Sequence, residues 1–290
     1  MAKTGKLRLA ITTPFRFLRR MIRAPFVWIS SAYSSFKQFF TEEPDETPLP
    51  DSLAKTVSDP TGLFYHLDAL RRHLLRAGLF FLATTSLAIA YNQIILEFLT
   101  RPVGGLQDVI AIDVTEPLST VMKTSLLVGF ALALPYIAFE LYLFIAPGIS
   151  PRARIWGLLA IPAVLILFVG GMAFAYFVML PTAVPFLLNI GGVTAQIRLS
   201  SIVSFVTRVL FWIGLSFEFP LVIFILAIMG IVNTRMLIQN WRIAIVIIAV
   251  LAALVTPTID PVNMAIVMGP LIVLYFLGIG LAAIAQRKRS

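Results

Sequence analysis

Long apolar runs separated by short polar breaks make up most of the chain after Arg76. A helix of about 20 apolar residues, rising about 1.5 Å per residue, crosses the ~30 Å hydrocarbon core of a membrane. The runs predict six membrane-spanning helices, at residues 77–98, 117–145, 155–181, 204–230, 242–256 and 263–285. Pro135 should kink or tilt the second. The fifth reaches only roughly 22 Å, so it either thins the bilayer or ends among other helices. The pattern predicts an all-α integral membrane protein.

The remaining residues divide the chain into three parts. Residues 1–60 form an extension that is first basic and aromatic, with residues 14–40 fitting an amphipathic helix on the membrane surface, and then acidic and linker-like. Residues 61–286 form the membrane domain, which opens with a short amphipathic piece at residues 62–76. Residues 287–290 are a basic tail.

The basic residues predict the orientation of these helices. With the N-terminus inside the cell, 19 of the 23 Lys and Arg residues lie on the cytoplasmic side, and only Arg101 and Arg198 lie on the opposite side. Lys123 and Arg208 fall inside or near the spans. Because cytoplasmic loops of membrane proteins are enriched in Lys and Arg, we expect an inner-membrane protein with both termini in the cytoplasm.

Composition excludes several classes of function. The chain has no cysteine, which rules out disulfides, thiolate metal sites and cysteine nucleophiles. Its net charge of +9 arises mostly outside the apolar runs, which favours membrane topology over nucleic-acid binding. His66 and His73 are seven residues apart without a third ligand, so we expect no metal site. The sequence contains no catalytic triad, phosphate loop or zinc motif, and we expect no enzyme activity, catalytic residue or cofactor.

Glu218, near the middle of the fourth predicted helix, is the most informative residue. An ionised carboxylate in hydrocarbon costs roughly 3 kcal/mol or more, so Glu218 should face protein or a water-filled groove, or be protonated. Three roles stay open: a contact that locks helix packing, a polar contact for a partner's transmembrane helix, and a proton relay. Pro220 removes a helical hydrogen bond near Ser216 and so favours a kink with a polar notch.

Several motifs, taken in order, resemble those of the TatC family over roughly residues 61–285. They are HLDALR at 66–71 (family HLxELR), Glu116-Pro117 with Lys123, FELYLFIAPG at 139–148 (family YExWxFIxPGL), the GxxFxYF-like segment from 171 with Pro181, SFEFP at 216–220 (family FExP), and Thr256-Pro257 with Asp260 (family TPPD turn). Their shared order and spacing could hardly arise by chance.

The resemblance implies a receptor with the concave, glove-like TatC arrangement. TatC proteins recognise twin-arginine signal peptides of folded cargo and recruit single-span TatA- and TatB-type partners for transport driven by the proton-motive force. They also assemble with further copies of themselves, in contact with membrane lipid. The implied signal-peptide residues, including the two carboxylates that we add as a hypothesis, are Asp68, Leu70, Arg71, Leu74, Glu140, Phe144, Pro147 and Arg154. The implied groove for a partner helix contains Phe217, Glu218 and Pro220, and the implied periplasmic turn contains Thr256, Pro257 and Asp260.

The chain departs from the family pattern at the two glutamates credited with binding the arginine pair, because these positions are Ala69 and Ala153. Asp68 and Glu140 are the nearest remaining carboxylates, and our hypothesis is that they supply the acidic surface. Alternatively, Asp68 pairs locally with Arg71 or Arg72.

Two other functions stay open at this point. One is a proton-coupled small-solute transporter that uses Glu218 as its titrating group, and the other is a scaffold for other membrane subunits. The absence of an evident internal repeat lowers the expectation of a transporter.

Overall fold

The computed structural model describes residues 60–149, 151–189, 197–256 and 261–287. The predicted extension before residue 60, and most of the basic tail, lie outside these residues. The helices of the described chain are α1 Pro60–Ala90, α2 Asn92–Thr100, α3 Glu116–Ile145, α4 Pro151–Phe174, α5 Leu180–Asn189, α6 Leu199–Phe217, α7 Phe219–Met229, α8 Thr234–Gln239, α9 Trp241–Val255 and α10 Pro261–Arg287. Short 3₁₀ turns lie at Arg101–Val103, Leu106–Asp108 and Ala146–Gly148, and a π-helical turn, Ala175–Met179, joins α4 to α5.

Five helical segments in the described part of the chain are long and apolar enough to cross a membrane. They are His66–Ala90, Glu116–Gly148, Ala153–Phe186, Leu199–Met229 and Met264–Gln286, and they coincide with five of the six predicted spans. The remaining prediction corresponds to α9, whose apolar part, Trp241–Leu254, is shorter than the others, as expected from the sequence. The chain is therefore a multi-pass membrane protein.

The beginning of the membrane domain differs from the prediction. The amphipathic piece at 62–76 is not a separate element, since α1 runs unbroken from Pro60 to Ala90. No proline follows Pro60 until Pro102, so nothing interrupts the hydrogen-bond ladder where the surface pattern changes to the apolar one. The first predicted helix also ends early, because the chain turns at Tyr91 before continuing as α2.

Close backbone contact holds α1 against α3. The Thr84 hydroxyl donates a hydrogen bond of 2.8 Å to the carbonyl of Gly129. A Cβ atom at Gly129 would lie only 2.6 Å from the Cα of Thr85, so only glycine fits at this crossing. In a membrane, where lipid is as apolar as leucine, such close packing stabilises helix association.

A second close crossing joins α4 to α6. A Cβ at Gly171 would lie 2.9 Å from the Cα of Gly214, and Ala175 is fully buried. Gly171 therefore permits the close approach of the two helices, whereas Gly170 has open space around it. The fully buried Phe168 fills the space beside Gly214.

Two connections are tied together where α3 and α6 begin. Strands β1 Val109–Ile110 and β2 Ile197–Arg198 pair in parallel. Beside them, the buried Glu116 at the start of α3 forms an ion pair with Arg198. The two α-helices therefore start at the same end of the molecule, which fixes the relative depth of their side chains.

Candidate functional site

Glu140 on α3, one of the predicted site residues, lies within a cluster of polar side chains. The Tyr136 hydroxyl donates a hydrogen bond of 2.6 Å to Oε1, and Nδ1 of His73 on α1 lies 2.6 Å from Oε2. Glu140 is only 3% exposed. The expectation that it offers an open acidic surface is therefore corrected: the carboxylate is buried and both of its oxygens already have partners.

Phe144, one turn further along α3, packs against the same face of α1. Its ring centroid lies 4.5 Å from that of His66 and 6.2 Å from that of His73. The HLDALR segment and the FELYLFIAPG segment, about 70 residues apart in sequence, thus meet side by side. We call His66, His73, Tyr136, Glu140 and Phe144 the α1–α3 cluster.

Asp68 is the carboxylate of this region that remains accessible. Its side chain is 55% exposed, and its Oδ2 lies 3.1 Å from Nη2 of Arg72, one turn along α1. The local pairing with Arg72 that we considered from the sequence is therefore present. Exposed pairs of this type contribute little and exchange partners readily, so Asp68 is available to another cation.

Three further predicted residues of α1 lie around Asp68 and the cluster. Arg71 and Leu74 are exposed, and Leu70 is half-buried. Ala69 is half-buried as well. This stretch of α1 therefore presents one carboxylate, basic groups and apolar side chains together at one end of the helix.

Arg154 organises the turn that follows α3. Its Nε donates hydrogen bonds to the carbonyl of Ala146 at 2.8 Å and to that of Ile149 at 3.1 Å. The side chain is buried, as is its neighbour Ala153, whereas Pro147 is exposed at the tip of the turn. Arg154 thus holds the shape of the turn and leaves Pro147 accessible.

The fourth span breaks at Glu218, between α6 and α7, two residues before Pro220. Glu218 is 8% exposed, so the prediction that protein shelters it is confirmed. Its Oε1 atom is buried and has no hydrogen-bond partner in the described part of the chain. The neighbouring Phe217 packs against Phe174, with ring centroids 5.7 Å apart. The break thus leaves a buried oxygen unsatisfied within the membrane span.

The predicted turn near the end of α9 is only partly described. Thr256 is buried, and its hydroxyl donates a hydrogen bond of 3.0 Å to the carbonyl of Ala252. Pro257 and Asp260 lie outside the described residues.

The sequence did not identify Tyr136 and His73 as part of the site. His66 and His73 form only an incomplete set of metal ligands, and Tyr136 belongs to none of the motifs. The spacing of Tyr136 and Glu140, four residues apart on one helix, is a signal that could have linked them. Nothing local indicates the partner 67 residues away on α1.

Comparison with known proteins places these features in a family. The model of the Sec-independent protein translocase protein (TatC) matches residues 65–270. The TatC protein of Deinococcus radiodurans is 36% identical over 250 residues, covering 83% of this chain and 92% of that protein. The TatC protein of Carboxydothermus hydrogenoformans is 34% identical over 232 residues, covering 79% and 96%.

Solved structures give the same result. A crystal structure described as the twin arginine translocase receptor TatC superposes with a TM-score of 0.68 at 30% identity, covering 76% of this chain and 99% of that one. A second, of the receptor in the detergent DDM, has a TM-score of 0.67 at 32% identity, covering 75% and 99%. These matches do not favour the small-solute transporter alternative. This protein therefore belongs to the TatC family of Sec-independent protein translocases.

Proposed function

We propose that this protein is the receptor subunit of a twin-arginine translocase, which binds the signal peptides of folded cargo and assembles the transport site with single-span partners. The observation that supports this most directly is the α1–α3 cluster. There, the two segments that resemble the signal-recognition motifs of the family are joined by the His73–Glu140 contact of 2.6 Å and by the packing of Phe144 on His66. A receptor rather than an enzyme fits this arrangement.

In the proposed topology, six helices cross the inner membrane and both termini lie in the cytoplasm. The distribution of Lys and Arg supports this orientation. The short α9 is the fifth crossing, and its reach of about 22 Å requires either a locally thin bilayer or an end that lies among other helices. The α1–α3 cluster and the turn that contains Pro147 then lie at the cytoplasmic surface, where signal peptides arrive.

Asp68 is the residue that we assign to the arginine pair. A guanidinium group donates two parallel hydrogen bonds to a carboxylate, and Asp68 is the exposed carboxylate of the cluster region. Binding a peptide arginine requires Asp68 to leave Arg72, which costs little at an exposed site. Glu140 acts indirectly, by fixing His73 and so the position of α1 against α3.

The apolar part of a signal peptide would then follow the membrane surface beside Asp68. Leu74 is 55% exposed, and the half-buried Leu70 and Phe144 lie in the same region. The exposed Pro147, held in place by the turn that Arg154 stabilises, forms the other side of this surface. Arg71, three residues beyond Asp68 on α1, is exposed at the same end of the helix.

Glu218 supplies the second part of the function, a contact for the transmembrane helix of a TatA- or TatB-type partner. Its Oε1 atom is buried without a hydrogen-bond donor among the described residues, and such an atom gains free energy when a partner provides one. Phe217 and Pro220 shape the break in which it lies. Copies of the receptor itself and the surrounding lipid complete the proposed complex.

Peptide binding to the full chain in lipid nanodiscs tests the proposal. A fluorescent twin-arginine signal peptide should bind saturably, and a matched twin-lysine peptide should bind at least roughly tenfold more weakly, because lysine cannot make the bidentate contact. Equal affinity for the two peptides would contradict a twin-arginine receptor. Saturable binding of a small solute with no peptide binding would instead indicate a transporter.

A further inference from the structure

A cavity of about 550 Å³ lies between α1, α3 and α6, away from the α1–α3 cluster and from Glu218. We call it the basic cavity. It is lined by Phe81, Lys123, Leu126, Leu127, Phe130, Ser204, Thr207, Arg208, Phe211 and Trp212. Its walls are mostly apolar and aromatic, yet two of its residues are cationic. None of the contacts that define the proposed signal-peptide surface involves it.

The two cations in the basic cavity have no acidic partner in the described part of the chain. The ammonium group of Lys123 donates a hydrogen bond of 2.8 Å to the Ser204 hydroxyl, which in turn donates one of 2.5 Å to the carbonyl of Ser200. Neither Lys123 nor Arg208 takes part in an ion pair found among the described residues. Both side chains are exposed. Charged groups inside spans are costly without a counter-charge, so this pair favours an anionic occupant.

The depth of the cations is suited to a lipid headgroup. Lys123 lies seven residues beyond the start of α3 at Glu116, or about 10 Å along the helix. Ser204 and Arg208 lie five and nine residues beyond the start of α6 at Leu199, or about 8 and 14 Å. Long basic side chains at such depths reach toward the headgroup layer while their stems stay in hydrocarbon.

We propose that the basic cavity binds an anionic phospholipid of the adjacent leaflet, the periplasmic one in the proposed topology. The phosphate would lie between the Lys123 ammonium, the Ser204 hydroxyl and the Arg208 guanidinium, with an acyl chain along the aromatic walls. Basic pockets between transmembrane helices bind lipid phosphates by this charge complementarity. A partner helix is a poorer match in size, because a helix 10 Å across would place little more than one turn in this volume.

Trp212 in the cavity wall makes the proposal testable by fluorescence. The other tryptophans, Trp28, Trp156 and Trp241, can be replaced by Phe to leave Trp212 as the only reporter. The full chain is reconstituted in phosphatidylcholine vesicles that contain a small fraction of either brominated phosphatidylglycerol or brominated phosphatidylcholine. The anionic lipid should quench Trp212 with a relative association constant roughly tenfold above that of the neutral lipid, as expected for two cations near a headgroup.

Matched variants decide whether the cavity causes this preference. K123Q with R208Q should remove it, whereas R235Q with R242Q, which removes the same charge from exposed positions on α8 and α9, should leave it unchanged. If the first double variant does not fold, K123R with R208K must keep the preference, since it conserves both charges. Equal quenching by the two lipids in the parent protein, or a preference that survives K123Q with R208Q, would overturn the proposal. If both lipids quench Trp212 equally and only a single-span partner protein relieves the quenching, the occupant is a helix and the proposal is likewise overturned.

Discussion

Replacing Asp68 by Asn separates recognition from stability more cleanly than any other change in the proposed signal-peptide surface. The Asp68–Arg72 pair is solvent-exposed, with side chains 55% and 53% accessible. Exposed pairs four residues apart on a helix contribute about 0.3–0.5 kcal/mol, so Asp68→Asn should leave thermal stability almost unchanged. A hydrogen bond to a charged group contributes about 1.5–3 kcal/mol. Taking the lower value for an exposed site, the variant should bind a twin-arginine peptide about tenfold more weakly.

Fluorescence anisotropy with a labelled signal peptide, at low salt where screening is small, measures this loss. Arg72→Gln is the matched control, because it removes the competing cation and should tighten peptide binding roughly twofold. Both variants should melt at the temperature of the parent protein. If Asp68→Asn binds the peptide as tightly as the parent, Asp68 is not the acceptor and the assignment of the arginine pair to it is wrong.

Three further predictions concern the packing of the helices and the proposed partner contact at Glu218. Glu140→Ala leaves the half-buried Tyr136 and His73 without an acceptor and should cost about 3 kcal/mol of stability. Glu140→Gln can still pair with both and should cost under about 1.5 kcal/mol, so equal melting temperatures of the two variants would exclude this hydrogen-bond explanation. Glu218→Leu removes a buried carboxylate with an unpaired oxygen and should therefore raise the melting temperature. The same variant should no longer copurify with single-span partners. Retention of those partners would argue against the proposed contact. Gly129→Ala pushes α1 away from α3 and should lower the free energy of unfolding by about 2 kcal/mol or more. Gly170→Ala is the control and should leave stability unchanged, because there is open space around Gly170. Similar stability of the two variants would contradict the close crossing.

The positions of the membrane helices could be predicted from the sequence because the hydrophobic runs and their breakers are local signals. The interruption of the fourth span shows this well, since Pro220 alone indicates a break near Glu218. The short fifth span was also predictable from its length. The continuity of α1 was not, because a change from surface to membrane pattern does not by itself end a helix.

Sequence motifs indicated some residues of the candidate site, such as Glu140 and Phe144, but neither Tyr136 and His73 nor the geometry of the site. Helical periodicity cannot tell whether Glu140 faces lipid, water or a neighbouring helix, and its burial depends on His73, which is 67 residues away. The sequence likewise predicts Arg154 as a residue of the peptide-binding surface. In the structure, its hydrogen bonds to the carbonyls of Ala146 and Ile149 stabilise the turn after α3. Such contacts arise only from tertiary packing.

Site-specific photocrosslinking of a bound signal peptide tests the central proposal most directly. A photoreactive amino acid is placed singly at Leu74 and at Pro147, both exposed beside the α1–α3 cluster, and as a control at Phe177, which is 67% exposed on the π-helical turn. In native membranes, a twin-arginine peptide should crosslink from 74 and 147 but not from 177, and the twin-lysine peptide should crosslink from none of the three. Crosslinks from 177 alone, or equal crosslinks with the twin-lysine peptide, would contradict a twin-arginine receptor surface at the α1–α3 cluster.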